Sequence, residues 1–188
     1  MSIFFPEMGG KRLELLKEAF PKITRVAVLS DPTSPTRQLD WQELKAASGH
    51  LAVQLQSLEV RSPNPDFKGA FAMATKKRAD AFLTLTPPLM ASHRKEIVAL
   101  VAKSRRPAIF HNQDFVEAGG LMSYGPSLAD SFKRAAIFVD KIFKGRTPAD
   151  LPVERPIKFE FIVNLKTAKQ AGLTIEPNVL VRANRVIR

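Results

Sequence analysis

Cysteine is absent from the 188-residue chain. That excludes disulfides, thiolate metal sites and a cysteine nucleophile, while leaving the redox compartment open. Histidine is scarce as well, with three in all. His50 reads as a helix end, His93 as a first helical turn, and only His111 as a strand end, so no metal-ligand spacing arises. Acidic residues are outnumbered: 18 Asp and Glu against 29 Lys and Arg give a net charge of +11. A balance of that size raises nucleic acid or an anionic surface as a partner. The positives, however, are scattered in short clusters near helix ends and in the tail, where cations suit the helix dipole. Only Trp41 and Tyr124 join the phenylalanines as aromatics that could interleave with them. They read as solvated surface, with no nucleic acid as partner.

Long apolar runs are missing too. No stretch of about 18 residues could form a membrane-spanning helix. The first residues, Met1-Ser2-Ile3-Phe4-Phe5-Pro6, lack a basic region and a cleavage site, so they do not read as a signal peptide. Neither Gly9-Gly10 nor Gly119-Gly120 belongs to a phosphate-loop or dinucleotide fingerprint.

What is present is alternation. A helix carrying Leu13, Leu16 and Phe20 leads into the buried run Arg25-Val26-Ala27-Val28-Leu29-Ser30. Further strands begin near residues 53, 81 and 107, an almost even spacing with room for one helix in each connection. Ser34 is expected to cap the second helix with Pro35 as its first residue, and Ser92 to cap the fourth. Leu121-Met122-Ser123-Tyr124 reads as a fifth strand. Beyond it Ser127 caps a strongly amphipathic helix over 127–143, with Leu128, Phe132, Ala135, Ala136, Val139 and Phe143 on one face. A strand with Phe159, Phe161 and Val163 follows, then a short helix from Asn164 to Gly172 and a weakly patterned tail. The pattern predicts an α/β fold, a parallel Rossmann-like sheet with helices on both faces.

In such sheets ligands lie outside the carboxyl ends of the strands. Those ends are rich here in hydroxyls, amides and proline: Ser30 to Ser34, Thr84 to Pro88, His111 to Gln113, and Tyr124 to Pro126. Several polar loops on one edge point to a small-molecule pocket, and Ser34 before a helix start suits a carboxylate. Polar strand–helix turns are also ordinary. Catalysis has little behind it. Asp31 could be a nucleophile or metal ligand, but no second carboxylate stands at the next two strand ends, and no Gly-x-Ser-x-Gly elbow supports a triad of Ser34, Asp31 and His111. No cofactor and no metal is expected.

The segments Gly10-Lys11-Arg12-Leu13-Glu14-Leu15-Leu16-Lys17-Glu18, Arg25-Val26-Ala27-Val28-Leu29, Ala79-Asp80-Ala81, Phe115-Val116-Glu117-Ala118-Gly119-Gly120-Leu121-Met122-Ser123-Tyr124-Gly125-Pro126, Asp150-Leu151-Pro152-Val153-Glu154 and Asn164-Leu165-Lys166-Thr167-Ala168-Lys169 together resemble the substrate-binding proteins of ABC transporters related to tryptophan/tyrosine binders. The resemblance implies a type I periplasmic-binding fold, with two lobes closing on a solute such as an amino acid. It implies a ligand site built from Asp31, Thr33 and Ser34, from Thr86 and Pro88, from Asn112 and from Tyr124. It also implies an ABC permease as partner and a periplasmic or lipid-anchored location, or a cytoplasmic one for a chain expressed without a signal.

Relatives carry a signal and a first lobe of roughly a hundred residues. This sequence begins where the second lobe would, as in a truncated member, a mis-set start codon or a deliberately cut gene. The expected division is 1–125 as the ligand-binding lobe, 126–150 as the helix that would pack on the first lobe plus a linker, and 151–188 returning to the lobe. The unmatched apolar face of helix 127–143 predicts self-association. Three alternatives stand beside the importer reading. One is the effector domain of a transcription regulator, for which no helix-turn-helix segment is present. The others are an enzyme using Asp31, and a fragment that has lost function.

Overall fold

The computed structural model describes residues 8–188; the reading of Met1 to Pro6 falls outside them. In chain order the elements are α1 (Met8–Ala19), β1 (Arg25–Ser30), α2 (Arg37–His50), β2 (Gln54–Glu59), α3 (Phe67–Lys76), β3 (Ala81–Thr84), α4 (Pro88–Ser92), α5 (Arg94–Ser104), β4 (Ala108–Phe110), α6 (Gln113–Glu117), β5 (Met122–Pro126), α7 (Leu128–Phe143), β6 (Phe159–Asn164), α8 (Leu165–Ala171), α9 (Pro177–Val181) and β7 (Arg185–Ile187).

The seven strands form one sheet in the order β2-β1-β3-β4-β5-β6-β7. The first five run parallel. β6 then pairs antiparallel with β5, Tyr124 opposite Phe161, and β7 lies parallel to β6. Alternation along the strands divides the core between two faces. Val26, Val28, Leu83 and Ile109 pack with Leu13 and Leu16 of α1, Leu44 of α2 and Val179 of α9. Ala27, Leu29, Phe82 and Phe110 pack with Phe67, Phe71, Ile97 and Phe115 of α3, α5 and α6. Both faces are covered, which is why the parallel strands read as unbroken apolar runs.

Three sequence expectations need correction. Ser34 does not cap α2: the Asp31 carboxylate folds back on Thr33, and the Ser34 N–H donates to the Asp31 carbonyl at 3.1 Å. That tight turn delays the helix until Arg37, with Thr36 before it. Ser92 ends the one-turn α4, begun by Pro88 at its first position, and His93 precedes α5. The tail is ordered: α9 buries Val179, and β7 extends the sheet. The caps at Ser127 and Asn164 form as expected, accepting from the N–H groups of Asp130 and Thr167. Gly172 closes α8 in the left-handed conformation at φ 70°.

At the amino edge of the sheet, Asp80 ties β3 to β1. Its carboxylate accepts from the Thr24 N–H at 3.0 Å and hydroxyl at 2.9 Å, and from the Arg25 N–H at 2.9 Å and Nη2 at 3.1 Å. Partial burial raises its pKa, but these donors outweigh that and hold it below the usual carboxylate range. A depressed carboxyl stabilises the fold above its unfolded pKa and loses that contribution as pH falls through the folded value. Asp80→Ala is therefore expected to cost about 1–2 kcal/mol at pH 7 by urea denaturation, and much less near pH 3.

α7 stands apart. Only Ser131 is buried, while Phe132, Ile137, Val139, Ile142 and Phe143 are exposed, Phe143 at 86%. Its one cross-chain tie among the described residues is an ion pair from Arg134 to Glu154.

Candidate functional site

Because β1 is flanked by β2 on one side and β3 on the other, the chain switches direction between β1 and β3. In sheets of this order the loops leaving those two strands diverge, and the carboxyl ends beside the switch point are where ligands are usually held. β4 and β5 continue the same edge, so the polar ends of four strands lie in a row.

From β1 comes a rigid turn. Asp31 is buried, and its Oδ1 accepts from the Thr33 N–H at 2.8 Å and hydroxyl at 2.7 Å. The Ser34 hydroxyl lies 3.2 Å from that of Thr36, which donates to Asp40 at 2.9 Å. Thr33 is exposed and Ser34 half-buried, so both can meet a ligand. Thr86 and Pro88 follow β3 on an exposed loop, stiffened by Pro87. Asn112 follows β4, half-buried, with its Oδ1 free of any hydrogen bond. Tyr124 on β5 is half-buried and stacks on Phe159 at 6.1 Å. Asp31, Thr33 and Ser34 thus belong to one turn after β1, Thr86 and Pro88 follow the neighbouring strand β3, and Asn112 and Tyr124 sit further along the same edge.

Beneath this row lie buried polar groups: Thr84 and His111, which the sequence places at strand ends, and Arg12, which it does not single out. Thr84 Oγ1 and His111 Nδ1 meet at 3.3 Å, and the His111 ring rests edge-on against Phe115. Burial, with the positive field of Arg12, pushes the His111 pKa down to about 3, so the ring is neutral at any physiological pH. Arg12 itself, on α1, is 2% exposed and donates from Nε to the Tyr124 carbonyl at 2.8 Å. Burial lowers its pKa to about 10, against the opposing pull of Asp40 and Tyr124, and it stays charged. Burial raises the Asp40 pKa, partly offset by Thr36 and Arg12. One signal for Arg12 was in the sequence: it shares the stripe of Met8, Leu15, Leu16 and Ala19, where α1 buries its apolar side chains.

Among the described residues no side-chain hydrogen bond joins Ser34, Asp31 and His111, and no three His, Asp or Glu side chains cluster as a metal site. The arrangement is a doubly wound sheet presenting polar groups along one edge.

The chain belongs to the family of ABC transporter substrate binding proteins, whose model matches residues 7–187. That is a family of solute-binding proteins rather than enzymes, periplasmic or extracellular in location. No helix among the described residues is long and apolar enough to cross a membrane. No protein of curated function matches the chain. Among solved structures, an ABC domain from Streptococcus pneumoniae in complex with L-Trp is 25% identical, with a TM-score of 0.85 over 95% of this chain and 60% of that one. A conserved domain protein from Vibrio cholerae superposes equally well at 22% identity, again over 95% and 60%. The chain therefore spans about three fifths of the length of these two structures. A LacI-family repressor from Corynebacterium glutamicum shares the fold at 13% identity, with a TM-score of 0.60 over 84% of this chain and 63% of that one.

Proposed function

We propose that this chain is the ligand-binding lobe of a substrate-binding protein serving an ABC importer, and that it holds a small solute, an amino acid, on the carboxyl ends of β1, β3, β4 and β5. The observation that carries the reading is the row of polar strand ends flanking the β1/β3 switch point. Asp31, Thr33 and Ser34 form the first wall of the crevice, Thr86 and Pro88 the second, and Asn112 and Tyr124 extend it. The L-Trp complex of the pneumococcal relative makes aromatic amino acids the first solutes to try. Residues 1–125 would form the lobe, 126–150 the helix that packs on a first lobe plus a linker, and 151–188 return to the lobe. Closure of the two lobes on the solute would present the complex to a permease.

The test is a thermal-shift and calorimetric screen of the twenty amino acids. The expected result is a saturable rise in Tm with one chemical subset, reduced by Thr33→Ala or Asn112→Ala. Catalytic turnover without such stabilisation, or binding to none of the set, would overturn the reading.

The same reading gives α7 a role as an interlobe helix whose apolar face is covered in the assembled protein. On its own, the 188-residue chain is expected to pair with a second copy through Phe132, Val139 and Phe143. Each large side chain covered contributes roughly 1.5–3 kcal/mol. Light scattering should report a dimer, and Phe132→Glu with Phe143→Glu a folded monomer whose Tm no longer rises with protein concentration. A monomeric wild-type chain at high micromolar concentration would contradict it.

A further inference from the structure

We infer that Arg12 is a ligand-recognition residue, its buried guanidinium held at the ends of β4 and β5 for a carboxylate of the solute, so that the site selects acids over their neutral analogues. The inference rests on the binding-lobe reading above and names the chemistry that the site would select.

A buried cation needs a counter-charge. Removing an ion from water costs several kcal/mol, recovered only by close pairing and full hydrogen bonding. Arg12 has neither. It makes one hydrogen bond, from Nε to the Tyr124 carbonyl. Neither Nη group donates to any described residue, and no described carboxylate lies at ion-pair distance. Asp40 acts on it through space with no hydrogen bond between the two, and one of the Asp40 oxygens accepts from the Thr36 hydroxyl. A leucine or methionine at this point of the α1 stripe would fill the core without that cost, and the Nη groups, which are not among the fully buried atoms left without a hydrogen bond, are open to a partner arriving from solvent. They match the two oxygens of a carboxylate in a bidentate pair.

The surroundings fit an incoming group. His111 stays neutral and adds no competing charge. At neighbouring strand ends, Ser30 Oγ and Asn112 Oδ1 are buried with no hydrogen bond. Orphaned buried groups are rare in native proteins; the Ser30 hydroxyl can donate to a carboxylate, and the Asn112 oxygen can accept from a donor of the solute such as its ammonium. The amide of Ser34 cannot serve as the anion's donor, because the Asp31 carbonyl already takes it.

The experiment measures binding of three acid–amide pairs to the whole chain: acetate and acetamide, benzoate and benzamide, L-tryptophan and its amide. Wild type is expected to bind at least one acid roughly tenfold or more tighter than its amide, and Arg12→Gln to bring the two within about threefold. Arg12→Lys should keep part of the preference. Should the variants unfold, the ¹⁵Nε resonance of Arg12 in the wild type decides: it shifts with the acid and not with the amide. Equal affinity for acid and amide, binding of no acid, or a preference unchanged in Arg12→Gln would overturn the inference. Arg12-dependent binding of benzoate without binding of any amino acid would leave it standing and remove the amino-acid reading. Amino-acid binding indifferent to Arg12 would do the reverse.

Discussion

Gly125→Ala is expected to lower the stability of the chain by about 3 kcal/mol or more, near the upper end for overpacking. Gly125 lies on β5 opposite Glu160, where the end of β4 crosses close by. A Cβ there would stand 2.2 Å from the His111 carbonyl oxygen and 3.2 Å from its carbon. Both are backbone atoms and cannot rotate aside. The ends of β4 and β5 would have to separate, carrying His111, Asn112 and Tyr124 with them, so solute binding should weaken along with the fold. For a chain of this size the loss corresponds to roughly 10 °C in Tm. Gly49→Ala is the matched control: nothing lies within 4 Å of its Cβ, and a helical alanine should raise Tm slightly. A Gly125→Ala protein melting within about 2 °C of wild type would show that the two strand ends are not so tightly apposed.

Mild acid is expected to destabilise the wild type through His111. The unfolded chain takes up a proton at this residue below about pH 6.5, whereas the folded ring, sealed against Thr84 and Phe115, does so only near pH 3. Between those values the unfolded state binds more protons, so stability falls as pH falls. From pH 7 to pH 5 the loss amounts to roughly 2 kcal/mol. His111→Gln keeps a hydrogen-bonding partner for Thr84 without titrating, and should lack this component. Urea midpoints of both proteins at the two pH values check it. Equal acid losses in wild type and variant would mean that His111 is solvated.

The strands were legible in the sequence because a sheet covered on both faces needs continuous apolar runs, and Val26 to Leu29 or Ala81 to Leu83 can hardly be anything else. The α7 face was legible for the opposite reason, since its exposed phenylalanines keep helical spacing. Caps were less readable. A serine before a proline satisfies the rule for a helix start, but the Asp31 side chain competes for the same backbone and wins. The tail failed because Arg185-Val186-Ile187 is too short to show a period, and its place in the sheet comes entirely from pairing with β6. At the site, the polar strand ends could be read from residue types alone. The burial of Arg12 was signalled only by its place on the apolar stripe of α1, a weak sign because an arginine on an amphipathic helix ordinarily extends to solvent. Only the pairing of α1 with β5 shows that it does not.

Solute binding at the carboxyl ends of the strands is tested most directly by chemical-shift mapping of the ¹⁵N-labelled chain titrated with L-tryptophan and then with the other amino acids. The expected result is a saturable response confined to Asp31 to Ser34, Thr84 to Thr86, His111, Asn112 and Tyr124. A response centred instead on the opposite edge, around Arg25 and Asp80, or no response to any amino acid, would contradict it.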